Sequence, residues 1–158
     1  MKTATVRELK KELEHSSHEE LMALCLRLSR FKKENKELLT YLLFEATDEE
    51  GYIQSVKQEI DEQFKLINTT SYHYIKKSVR KILRNIKKHI RYSSSKETEV
   101  ELLLFFCDTL IHYRPYINNN SVLKNIYFRE LTALKKKITT LHEDLQFDYY
   151  QELEKLPS

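Results

Sequence analysis

Glycine occurs once in this 158-residue chain, proline twice and tryptophan not at all. A sheet protein closed by tight turns places glycine and proline at those turns, so their scarcity argues against one. The lone glycine, Gly51, also excludes the phosphate-cradling loops of nucleotide enzymes, which need several. Only two cysteines are present, Cys25 and Cys107, and both fall inside apolar helical patterns. They are expected to be reduced, buried thiols in a cytoplasmic protein. No apolar run approaches the ~20 residues of a membrane span, and the longest, Leu102 to Cys107, is far shorter. The opening stretch, MKTATVRELKKELEH, is charged and lacks an apolar signal core, so neither secretion nor a membrane partner is expected.

One further absence organises the rest. From Gln63 to Lys96 there is no Asp or Glu, yet the same stretch holds ten Lys or Arg. The chain as a whole carries only +3, so the remaining 17 basic and 24 acidic residues leave everything else at −7. Wound at 100° per residue, Ile75, Val79, Ile82, Ile86 and Ile90 form one apolar stripe. Lys76, Lys77, Arg80, Lys81, Arg84, Lys87, Lys88 and Arg91 occupy the opposite arc of roughly 140°. Like charges at i,i+3 and i,i+4 along that arc each cost about 0.2–0.5 kcal/mol. The nearest acids, Glu59 and Glu62 before it and Glu97, Glu99 and Glu101 after it, answer only part of the charge. Such a face is suited to an anionic partner.

Leu, Lys, Glu and Ile dominate what remains, and these are helix formers. The expected class is all-α, one domain over residues 1–158, with seven to eight helices in antiparallel αα-hairpins. Both a helical bundle and a short curved solenoid satisfy this pattern.

Capping boxes are expected at Thr5-x-x-Glu8 and Ser17-x-x-Glu20, opening the first and second helices. The second carries a stripe of Leu21, Leu24, Cys25 and Leu28. The third takes up Leu38, Leu39, Leu42 and Leu43, with a start that residues 32–37 leave open between two helices. Thr47-x-x-Glu50 is expected to cap the fourth, whose stripe is Ile53, Val56, Ile60, Phe64 and Ile67. After the basic fifth helix, Ser94-x-x-Glu97 is expected to cap the sixth. Val100, Leu102 through Cys107, Leu110 and Ile111 leave that helix apolar nearly all round, which marks it as the centre of a core focused on Leu103, Phe106, Cys107 and Leu110. Arg114-Pro115 ends it. The seventh is expected to be long, with Leu123, Tyr127, Leu131, Leu134, Ile138, Leu141 and Leu145 in a near-heptad. A short last helix follows.

The opening pattern Leu9, Leu13, Ser17, Glu19-Glu20-Leu21, Leu24 and Leu28, then Glu34-Asn35-Lys36-Glu37 and Leu42, resembles an uncharacterised bacterial all-helical family. Tyr74, Lys76-Lys77 and Ile82, followed by Leu103 through Asp108, are similar to the second half of that domain of unknown function. The resemblance implies a helical fold in a bacterial cytoplasm and supplies no activity, cofactor or site residue.

No H-E-x-x-H, C-x-x-C or nucleophile elbow occurs, so no catalytic residue and no cofactor is expected. Asp108 and His112 at i,i+4, and His15 and His18 with Glu19 and Glu20, have metal-ligand spacing. Neither pair recurs on a second helix as a carboxylate-bridged site requires, so Asp108/His112 is expected as a local ion pair or hydrogen bond and no metal is expected. Tyr72, His73, Tyr74 and Tyr92 bracket the basic helix, where stacking on bases is one use of such rings and ordinary packing the expected one. The functional expectation is a non-enzymatic interaction or regulatory module that meets an acidic protein surface through the basic helix. The alternative is sequence-independent nucleic-acid binding through the same face. Oligomeric state is not legible.

Overall fold

Eight α-helices and no strand form among the described residues, 1–157 of the computed structural model. They are α1 (Val6–Glu14), α2 (His18–Phe31), α3 (Lys33–Thr40), α4 (Glu49–Lys65), α5 (Tyr72–Ser93), α6 (Lys96–His112), α7 (Ser121–Ile138) and α8 (Glu143–Glu154). A π-helical turn, Tyr41–Glu45, follows α3, and a 3₁₀ turn, Ile117–Asn119, precedes α7. No helix among the described residues is long and apolar enough to cross a membrane. Contacts gather in two units, residues 1–44 and 45–158.

In the first unit both expected capping boxes form. Thr5 Oγ1 accepts from the Glu8 amide while Glu8 reaches back to the Thr5 amide at 2.7 Å. Ser17 and Glu20 repeat the arrangement at the start of α2. Lys32 is extended (φ −142°, ψ 148°) and separates α2 from α3, and the Asn35 side chain donates to the Leu28 carbonyl at 2.8 Å across the break. No residue of α1, α2 or α3 is buried. Cys25 is therefore exposed, against the expectation of a buried thiol. Its helical stripe is apolar as read, but it lines an open groove with Leu38, Leu39 and Leu42 and is not enclosed by them.

The second unit is a bundle organised around α6, which packs against α4, α5 and α7. Val100, Leu102, Leu103, Phe106, Cys107 and Leu110 are buried along it, while Leu104, Phe105 and Ile111 on its other side are only half-buried, so the helix is not enclosed all round as its apolarity predicts. Phe106 meets the Phe64 ring of α4 at a centroid distance of 6.1 Å. The whole α4 stripe, Ile53 through Ile67, is buried. Tyr149 of α8 donates to Glu101 of α6 at 2.9 Å, and the Tyr127 hydroxyl donates to the Pro157 carbonyl at 2.7 Å.

Three boundaries differ from expectation. The α4 cap is Asp48, not Thr47, and its carboxylate accepts from the Gly51 amide at 3.0 Å. A β-carbon at Gly51 would lie 2.2 Å from that carboxylate, so the only glycine leaves room for the cap. The α6 cap is Ser95, whose hydroxyl accepts from the Thr98 amide. Ser94 instead terminates α5 in the left-handed region (φ 57°), its amide donating to the Ile90 carbonyl. Two helices meet within two residues here, so one serine must close and the next must open. Finally α7 stops at Ile138, and Leu145 belongs to α8. The near-heptad spacing runs on past a turn at Thr139–Thr140, and beyond that turn Leu141 and Leu145 are only half-buried.

The serine pair gives a test. Ser95→Ala is expected to cost about 1 kcal/mol in urea denaturation. Ser94→Gly is expected to lose nothing and to gain up to about 1 kcal/mol, because glycine relieves the positive φ. Loss at Ser94 with none at Ser95 would restore the original assignment.

Candidate functional site

Burial of one stripe turns the other face of α5 outward. Ile75, Val79, Ile82 and Ile86 are buried, joined by Leu83, while Ile90 is half-buried. Lys77, Arg80, Lys81, Arg84, Lys87 and Arg91 are consequently exposed, and Lys76 and Lys88 are half-buried. The face is not flat. His73, Lys76, Lys77, Arg80, Leu83, Arg84 and Lys87 line a cleft of ≈ 560 Å³ that also takes in Arg129 from α7. Five of the eight expected cations thus converge, while Lys81, Lys88 and Arg91 lie outside the cleft.

Glu130 does not line the cleft but anchors two of the cations that do. The side chain is only 2% exposed, and a buried carboxylate is tolerable only when paired. Lys87 Nζ approaches its two oxygens at 2.9 and 3.0 Å, and Arg129 Nε donates at 3.0 Å. Lys87 and Arg129 are thereby held in place on adjoining helices. Lys76, Lys77, Arg80 and Arg84 form no ion pair among the described residues. Four of the five acids that sequence offered as compensation meet groups other than these four cations. Glu59 meets His89 at 3.5 Å and accepts from Asn85, Glu97 and Glu101 accept from Tyr149, Glu101 also pairs with Lys57, and Glu99 pairs with Lys137.

His73, Arg129 and Glu130 were not among the expected site residues. Glu130 does leave a trace in the sequence: it interrupts the row Ile126–Glu130–Leu134, whose other members are buried. A lone carboxylate in an apolar row calls for a cation, and no local rule names Lys87.

No family model, no curated protein and no solved structure matches the chain.

The other candidate residues are dispersed. His112 Nδ1 lies 2.9 Å from the Asp108 carbonyl and 3.2 Å from its carboxylate, an exposed local contact within α6. His15 bonds the Lys11 carbonyl at the end of α1. Among the described residues, no group of three or more His, Cys, Asp or Glu gathers at metal-binding spacing. Burial, with the Glu130 and Asp108 charges, pushes the Cys107 thiol up to about 12, so its thiolate is suppressed. Tyr72 donates to the Tyr116 carbonyl and Tyr92 is buried, so both rings serve packing. Tyr74 is exposed instead, with its ring edge-on to His73 at the end of the cleft.

Behind the cleft, the Glu59 carboxyl lies below the usual glutamate range. The His89 hydrogen bond is the main cause, burial opposes it, and Asn85 and the nearby Lys88 add to it. A lowered carboxylate stabilises the fold above the unfolded glutamate value of about 4.3, and the contribution fades as pH falls through the lower folded value. Glu59→Gln is therefore expected to flatten the acid side of the stability profile, read by thermal melting from about pH 6 down to about pH 3. An unchanged slope below about pH 4 would show that Glu59 titrates alike in both states.

Proposed function

We propose that this chain is a non-enzymatic binding module of a bacterial cytoplasm that uses the α5 cleft to hold an anionic partner. The observation that carries this reading is the set of four cations, Lys76, Lys77, Arg80 and Arg84, unpaired in a concave site. Like charges kept this close cost stability, and an anion entering the cleft relieves that cost.

The concavity favours the phosphate backbone of nucleic acid over a flat acidic protein surface. Arg129 forms part of the cleft from a second helix, so cations approach a bound chain from more than one element. Exposed His73 and Tyr74 at one end offer ring faces to a base. The proposed contacts are all from cations to phosphates, which fix position and carry no sequence information, so binding would be independent of sequence.

Fluorescence anisotropy with short oligonucleotides tests the proposal. Four phosphate contacts predict a log–log salt slope of about −3.6 on duplex DNA and about −2.8 on a single strand. No binding at low salt sinks the nucleic-acid reading. A partner protein whose association rate falls with salt, in the absence of oligonucleotide binding, would instead identify the acidic-surface alternative.

A further inference from the structure

The first unit has an apolar surplus that its own chain leaves uncovered. Val6, Leu9 and Leu13 lie on one side of α1, and all three are exposed. Separately, α2 and α3 turn back on each other at Lys32 and form an apolar groove of ≈ 290 Å³, walled by Cys25 and Leu28 on one side and Leu38, Leu39 and Leu42 on the other. No residue of α1 lines that groove. One chain thus displays an amphipathic helix without a groove and a groove without a helix.

We infer that the occupant of the groove is α1 of a second copy, placed reciprocally to make a two-fold dimer. The exposed apolar side chains of the α1 face and of the groove, Val6, Leu9 and Leu13 with Leu28, Leu38 and Leu42, amount to on the order of 600 Å² per chain. Covering most of that on each copy gives the pair the total of about 1,000 Å² that a specific interface needs. Charge does not oppose the pairing. Residues 1–44 hold nine basic and seven acidic side chains, intermixed along the helices, so no field of one sign repels a second copy or selects an oppositely charged partner. Reciprocity also explains why the helix and the groove go together: an isologous contact requires both on the same chain.

Sedimentation equilibrium of the full chain at micromolar concentration is expected to give twice the chain mass of 19.1 kDa. Leu9→Glu on the helix and Leu28→Glu in the groove should each return the mass to that of one chain. Cys25 supplies a second readout that needs no variant, because the groove it lines closes in the dimer while Cys107 is buried in the second unit. Maleimide labelling of Cys25 in the unaltered protein should be slow when concentrated and should accelerate at least tenfold on dilution below the dissociation constant. Cys107 should stay unlabelled throughout. A chain that is monomeric at all accessible concentrations overturns the inference, as does a dimer that both Leu9→Glu and Leu28→Glu leave intact. Capture of a different protein in the groove of a monomeric chain overturns it as well.

Discussion

Phe106→Ala is expected to lower unfolding stability by about 3–5 kcal/mol, a large share of the roughly 5–15 kcal/mol that holds a domain of this size together. The ring is fully buried on the helix that packs against α4, α5 and α7, so no single neighbour can move in to fill the space. It also loses its tilted contact with Phe64, which in turn meets Tyr113 at 5.4 Å. Removing Phe106 therefore loosens an aromatic row joining α4 to α6 and its C-terminal end. Chemical denaturation should show the midpoint shifting while the second unit stays helical in water. A loss under about 1 kcal/mol would mean that the cavity collapses or that the ring is not central.

The second large effect concerns binding. Replacing both Arg80 and Arg84 by alanine is expected to remove two of four phosphate contacts, halving the salt slope to about −1.8 on duplex DNA. With four contacts, binding falls on the order of 10²-fold between about 50 and 200 mM salt, and with two contacts only about tenfold. Both side chains are exposed and unpaired, so their loss should leave melting behaviour within about 0.5 kcal/mol of the parent. Lys87→Ala behaves differently, because Lys87 holds the buried Glu130. It should weaken binding and also cost about 1–2 kcal/mol. That is less than the ~3–5 of a fully buried pair, since Arg129 remains and water reaches Lys87. Equal stability losses in the Arg80/Arg84 and Lys87 variants would contradict this division of roles. An unchanged slope in the double variant would place the bound anion elsewhere.

Sequence alone determined the features that depend on a few neighbouring residues. Helix content, the boxes at Thr5 and Ser17, the stripes of α4 and α5 and the basic face opposite Ile75–Ile90 all follow from a 3.6-residue period and local capping chemistry. The burial of Leu103, Phe106, Cys107 and Leu110 followed too, because they recur at three- and four-residue spacing on one face of α6. Even where a cap was misplaced, at Thr47 for Asp48 and Ser94 for Ser95, the error was one residue, since adjacent polar side chains compete for the same amides. Tertiary structure decided whatever depends on which helix meets which. Cys25 sits on an apolar stripe like Cys107, yet only Cys107 has other helices packed over it. The cleft exists because α7 brings Arg129 and Glu130 to a helix more than forty residues earlier in the chain. That encounter fixes two cations on one buried carboxylate and leaves four others free, a distinction among identical residue types that no periodicity can express.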